Sequence, residues 1–200
     1  GISVLRQLVK LMPGERFLYF GDSANAPYGT KQPEEVRALT LAAVEKLLAE
    51  GIKALVIACN TATAAAVETL RTQYPHIIIV GIEPAVKQAT DHFPGGTVGV
   101  MATPLTAESQ RLRLLEARFR ERCAIIDLPT PGLAELVEGG QADSPQCEAL
   151  LRPLLEPWKG KLDAVVLGCT HYPFAAAVIR RILGDSVELL DGGAGTARET

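Results

Sequence analysis

Ala54-Leu55-Val56-Ile57-Ala58-Cys59-Asn60-Thr61 and Ala164-Val165-Val166-Leu167-Gly168-Cys169-Thr170-His171 are the two stretches that decide the fold of this 200-residue chain. Each is an apolar run without polar alternation, the pattern of a parallel strand buried on both faces. Each ends in a cysteine and leads toward an alanine-rich helix, Ala64-Ala65-Ala66-Val67 in one case and Ala175-Ala176-Ala177-Val178 in the other. The two cysteines stand 110 positions apart, and the same offset carries the apolar strand starting at Ile77 onto one starting at Val187. A unit used twice accounts for both matches, and internal repetition fixes architecture.

Outward from these strands the chain alternates. Gly1 to Met12 reads as a helix with Ile2, Leu5, Leu8, Val9 and Met12 on one face, ended by Pro13-Gly14. Phe17-Leu18-Tyr19-Phe20 reads as a short strand, followed by a loop of turn residues from Gly21 to Gly29. Pro33-Glu34-Glu35 opens a helix that stops at Gly51, because proline suits the first turn and acids suit the positive helix end. Further on, the pattern predicts a strand at Val98–Ala102, a charged helix over Ala107–Arg122 and a strand at Ala124–Leu128. A helix from Ser144 to Trp158 comes next, kinked or divided at Pro153.

Strands alternating with helices imply βαβ units. The expected fold class is α/β, with two pseudo-symmetric lobes of parallel sheet flanked by helices and the active site in the cleft between them. Residues 1–94 are expected to form the first lobe, completed by 186–200, and residues 95–185 the second. The strand at Val98 has no counterpart 110 positions earlier, so the first lobe is expected to lack its opening strand. The residues from Gly192 onward read as a helix cut off as it starts.

Composition removes several function classes. The 20 Lys and Arg against 23 Asp and Glu leave a net charge of -3 and no basic field for a nucleic-acid backbone. No apolar run approaches the roughly 18 residues of a membrane span, and no signal pattern opens the chain. Cys59, Cys123, Cys147 and Cys169 include no CxxC pair, which argues against a zinc site or a disulfide scaffold and fits free thiols in a reducing compartment. The expectation is a cytoplasmic protein with no nucleic-acid and no membrane partner; a homodimer stays open. There is no glycine-rich phosphate loop, metal constellation or strand-end lysine, so no cofactor and no metal are expected.

In parallel sheets ligands bind outside the carboxyl ends of strands. Cys59 and Cys169 both stand there, each before a helix whose amides and dipole are expected to favour the thiolate. A pseudo-twofold axis would aim the sulfurs at one cleft from opposite sides. That arrangement suits one base and one acid on opposite faces of a carbon, exchanging roles with direction, as in inversion at an acidic C–H. Asn60, Thr61 and Thr170 offer neutral groups to hold a carboxylate and an amine. Cys123 and Cys147 read as core residues. Arg111, Arg113, Arg118, Arg120 and Arg122 read as a solvated helix face, and His76 and His92 carry no assigned role.

Pro27-Tyr28-Gly29-Thr30, Ala58-Cys59-Asn60-Thr61-Ala62 and Gly168-Cys169-Thr170-His171-Tyr172-Pro173 succeed one another in the chain. With Val80-Gly81-Ile82-Glu83-Pro84 and Leu136-Val137-Glu138-Gly139, they resemble the glutamate racemases of the aspartate/glutamate racemase superfamily over essentially the whole length. The resemblance implies a cofactor-independent isomerase, an amino-acid racemase supplying D-glutamate for peptidoglycan synthesis in the bacterial cell wall. It implies Cys59 and Cys169 as catalytic thiols, with His171 and Glu138 as auxiliary acid–base residues on the Cys169 side. It implies Tyr28, Gly29, Asn60, Thr61, Thr170 and His171 as contacts to a small amino-acid substrate.

One departure stands out. The family opens with a strand ending in Asp-Ser-Gly that supplies a catalytic Asp, and this sequence begins just after that motif; Asp22-Ser23 is a different position. The 200 residues alone are therefore expected to be a weak or inactive racemase. Alternatives are an aspartate or other amino-acid racemase, a superfamily decarboxylase (which often keeps only one thiol) or isomerase, and a non-catalytic binding or regulatory homologue with an incomplete site.

Overall fold

The repeat is visible in the hydrogen bonding. In the computed structural model, which describes residues 1–200, β1 (Ala54–Ile57) and β2 (Ile78–Gly81) form a two-stranded parallel sheet with Ala54 opposite Ile78 and Ile57 opposite Gly81. A second parallel sheet contains β3 (Thr97–Ala102), β4 (Ala124–Pro129), β5 (Ala164–Leu167) and β6 (Glu188–Asp191) in the order β4-β3-β5-β6. There Ala164 faces Glu188 and Leu167 faces Asp191, so β5–β6 repeats the β1–β2 register 110 residues later at every pair.

Helices cover both sheets. α1 (Ile2–Leu11), α2 (Pro33–Ala49) and α3 (Asn60–Gln73) precede β2 in the chain. Val36 and Val44 of α2 and Ala66, Val67 and Leu70 of α3 bury Leu55 and Ile57 of β1. Around the second sheet lie α4 (Val86–His92), α5 (Pro104–Ala107), α6 (Gln110–Ala117), α7 (Leu133–Glu138), α8 (Pro145–Leu155) and α9 (Ala176–Leu183). β5 is buried throughout: Val165 and Leu167 pack with Leu133, Leu151, Leu155 and Ile179, while Ala164 and Val166 pack on the other face with Val86, Val98, Leu112 and Phe119. An uninterrupted apolar run is what such two-sided burial requires. Cys147 and Cys123 are buried in these two clusters as expected core residues. α10 (Gly193–Glu199) closes the chain by packing on α1. No helix is long and apolar enough to cross a membrane.

Several expectations change. Residues 17–20 form no strand and leave Leu18 and Tyr19 about half exposed; a strand needs a hydrogen-bonding neighbour, and these residues pair with neither sheet. Of the helix predicted over Ala107–Arg122 only α6 (Gln110–Ala117) forms, with Ala107 the last residue of the separate α5. Thr103 caps α5 and Ser109 caps α6, their hydroxyls accepting from Thr106 and Leu112 N–H, so the polar side chains that end one helix begin the next. Pro153 sits inside α8, and the break comes later, at a 3-10 turn over Glu156–Trp158. The division of the chain also shifts. α4 packs on the second sheet and β6 belongs to that sheet, whereas α10 alone returns to α1. The passages between the halves are therefore Gly81–Ala85 and Asp191–Gly193.

Candidate active site

Cys59 follows β1 with extended backbone angles and caps α3, its Sγ accepting from Ala62 N–H at 3.4 Å. Two residues on, the buried Thr61 hydroxyl lies 3.0 Å from Thr103 Oγ1 and 3.1 Å from Thr106 Oγ1, and Thr103 donates to Thr106 Oγ1 at 3.0 Å. This triangle of hydroxyls ties the start of α3 to the β3–α5 corner of the other half. Gly29 packs against the same corner: a Cβ there would stand 2.6 Å from Thr103 Cβ, and Leu105 N–H donates to Gly29 O at 3.2 Å. Next to it, Tyr28 Oη donates to Asp22 Oδ2 at 2.6 Å. Burial, reinforced by that carboxylate, pushes the Tyr28 phenol up, while the bond from Tyr28 holds Asp22 below the usual range.

Cys169 stands at the equivalent end of β5, where Gly168 N–H donates to Met101 O at 2.7 Å. A 3-10 turn, Tyr172–Ala175, comes between this thiol and α9, so no α-helix begins directly behind it. His171 Nδ1 lies 3.4 Å from Cys169 Sγ and its Nε2 lies 2.5 Å from Glu138 Oε1, at the end of α7. A carboxylate only accepts, so Nε2 donates to Glu138 and leaves Nδ1 to accept the Cys169 S–H. The three groups form a line along which the thiol proton can pass to the ring. Tyr172 anchors this line from behind, fully buried, its hydroxyl donating to Thr130 O at 3.0 Å. Thr170 is engaged by the start of α1: Ser3 Oγ donates to Thr170 O at 3.4 Å, and the nitrogen of Gly1 lies 3.2 Å from Thr170 Oγ1.

Burial works against the thiolate preference expected from the helix ends. Burial pushes the Cys59 thiol up despite the Ala62 N–H, and it pushes Cys169 up to about 12 despite the His171 backbone N–H. Desolvation of a charge outweighs a single amide dipole, and only a short 3-10 turn faces Cys169. The charge of a Cys59 thiolate would raise Cys169 further.

Glu138, a solvated loop residue by default, is thus drawn to His171, and Tyr28, Gly29, Asn60, Thr61 and Thr170 gather around the two strand ends. Thr103, Thr106 and Asp22 are the side chains that sequence reasoning missed; the only signal was that Thr103 follows a strand end at a Pro104 helix start. The arginines are not one solvated face either. Arg111 bonds Glu68 and Glu83, Arg120 bonds Glu116 and Asp127, and Arg122 bonds Asp91. No group of three or more His, Cys, Asp or Glu side chains is placed to hold a metal ion.

The Asp/Glu/Hydantoin racemase family matches residues 1–200. The chain belongs to that family. A glutamate racemase of Clostridium perfringens (strain SM101 / Type A) is 46% identical over 200 residues, covering 100% of this chain and 77% of the relative. Among solved racemases of the family, a glutamate racemase from Bacillus anthracis superposes with a TM-score of 0.87 at 31% identity, over 99% of this chain and 75% of that one. The Escherichia coli glutamate racemase, solved in complex with L-glutamate and the activator UDP-MurNAc-ala, superposes with a TM-score of 0.88 at 31% identity, over 99% and 76% of the two chains.

Proposed function

We propose that the chain is a glutamate racemase, an isomerase that interconverts L- and D-glutamate through two thiols and so supplies D-glutamate for peptidoglycan synthesis in the cytoplasm. The observation that carries the reading is the pair Cys59 and Cys169, held at equivalent strand ends in the same register. The glutamate racemase activity of relatives at 46% identity supports the choice of substrate.

In this mechanism one thiolate removes the α-proton from its side while the opposite thiol delivers a proton to the other face. The base ends as thiol and the acid as thiolate, so the reverse reaction uses the same pair with roles exchanged. His171 accepts the Cys169 proton at Nδ1 and Glu138 holds the resulting cation, the activation pattern of a thiol beside an oriented base. On the other side Thr61 and the Ala62 N–H face Cys59. The substrate α-ammonium supplies positive charge that favours thiolate formation. Tyr28, Gly29, Asn60 and Thr170 hold the carboxylates, and no cofactor takes part.

The test is chiral chromatography of L-glutamate incubated with the protein, followed by α-proton exchange in heavy water. Racemisation survives EDTA and hydroxylamine and is lost on thiol alkylation. Cys59→Ala and Cys169→Ala each stop racemisation yet leave exchange of a single enantiomer, opposite in the two variants. Equal exchange of both enantiomers by either variant would sink the two-sided arrangement, and preference for aspartate would move the substrate assignment.

A further inference from the structure

The two passages between the halves of the molecule touch. A Cβ on Gly192 would lie 2.1 Å from the Glu83 carbonyl oxygen, so only glycine lets the Asp191–Gly193 passage cross the Gly81–Ala85 passage this closely. The Glu83 side chain at that crossing is taken by α6: Arg111 Nη2 lies 2.5 Å from Glu83 Oε1. The same guanidinium reaches the first half a second time, with Nη1 3.1 Å from Glu68 Oε1 on α3. A third link is incomplete. Arg111 Nε and Asn60 Oδ1 are buried without a hydrogen-bond partner, and both residues border one small cavity together with Pro84 and Ser109. One is a donor and the other an acceptor, the pair that a single bridging water satisfies. Asn60 is the first residue of α3, next to Cys59.

We infer, resting on the two-thiol reading of the proposed function, that Arg111 is a positioning residue: it clasps α3 and the inter-half crossing to α6, and so sets how Cys59 stands opposite Cys169. The pairs are partly exposed, with the Glu68 side chain 73% and the Glu83 side chain 46% accessible, and such pairs add little to global stability. Their effect falls on the relative placement of elements that carry the site, where small shifts in geometry govern proton transfer. Racemisation needs both thiols in place at once, whereas exchange of one enantiomer needs only one, so a loosened clasp penalises the first more than the second.

The test compares Arg111→Met and Arg111→Lys with the parent by iodoacetamide alkylation, resolved cysteine by cysteine in a mass spectrometer. Cys123 and Cys147, buried in the two cores of the second half, report general loosening. In Arg111→Met, Cys59 and Cys169 are expected to react about three- to tenfold faster with Cys123 and Cys147 unchanged, and kcat for racemisation falls more than single-enantiomer exchange, with KM little altered. Arg111→Lys, which keeps the charge but not the two-armed fork, recovers only part of both. Glu83→Gln, which removes one arm, shifts the reactivity of Cys59 and Cys169 in the same direction by less. Unchanged rates at Cys59 and Cys169, or a rise at all four cysteines together, overturns the clasp. The alkylation contrast does not depend on turnover: a parent without racemase activity defeats the two-thiol reading, and the contrast still decides whether Arg111 holds the cleft.

Discussion

A thiolate titration decides whether burial or the strand-end amides govern the two sulfurs. Cys169 is pushed from an ordinary 9.0 up to about 12, chiefly by burial. At pH 8 about one molecule in 10⁴ then carries that thiolate, and ionisation is disfavoured by about 4 kcal/mol relative to an exposed thiol. A substrate ammonium about 4 Å from the sulfur, at an effective dielectric of about 20, contributes about 4 kcal/mol of opposite sign. A bound substrate ammonium therefore offsets the cost of burying the Cys169 thiolate, and without it burial favours the protonated thiol. The assay is the ultraviolet thiolate absorbance of the parent minus that of Cys169→Ser, recorded as pH rises. No step is expected below about pH 10 without substrate. Linkage gives the same shift a second signature: burial of the neutral thiol contributes stability below the ordinary thiol range, lost as pH rises toward about 12, so the melting temperature declines above about pH 9 and less so in Cys169→Ser. An absorbance step between about pH 6 and 8 that vanishes in Cys169→Ser would refute the argument and restore the helix-end expectation.

Two other outcomes are expected. Glu116 is buried with Oε1 unpartnered, and burial together with Asp127 raises its carboxyl to about 7 from 4.5; a raised acid loses stability as pH climbs through that window, so Glu116→Gln is expected to gain about 2 kcal/mol at pH 8, after allowing for the lost Arg120 pair, and little at pH 4.5, and melts with parallel pH profiles would contradict this. Glu138→Gln weakens the orientation of His171 and slows α-proton exchange on the Cys169 side by about 10²-fold while sparing the other enantiomer, and a symmetric loss would show that Glu138 does not act through His171.

The strands that carry the thiols were legible because a parallel strand buried on both faces leaves an unmistakable apolar run, and the 110-residue offset survives in the hydrogen-bond register itself. Phe17–Phe20 carries the same local signal and forms no strand, since apolar character describes a preference and only a neighbouring backbone realises it. The candidate residues next to Cys59 and Cys169 could be read in sequence because they stand within two positions of the thiols. Thr103, Thr106, Glu138 and Asp22 could not be reached in this way. Their partners are Thr61, His171 and Tyr28, and for all but Asp22 the link spans 33 residues or more. The balance at the thiols is hidden from sequence for a related reason: the helix end is local and visible, whereas the burial that opposes it is built by the whole tertiary structure.

The shared register has a consequence for how the molecule is assembled. Ala54 pairs with Ile78 and Ala164 with Glu188, 24 residues on in each case, whereas Val98 of β3 must find Ala164 across 66 residues. Closing a short loop costs less chain entropy than closing a long one, and contacts of low sequence separation form faster. Each sulfur is therefore seated on a βαβ unit of short sequence separation, and the longer closure is the one that sets β3 beside β5 within the second sheet. During synthesis the unit holding Cys59 is complete while the one holding Cys169 is still unmade.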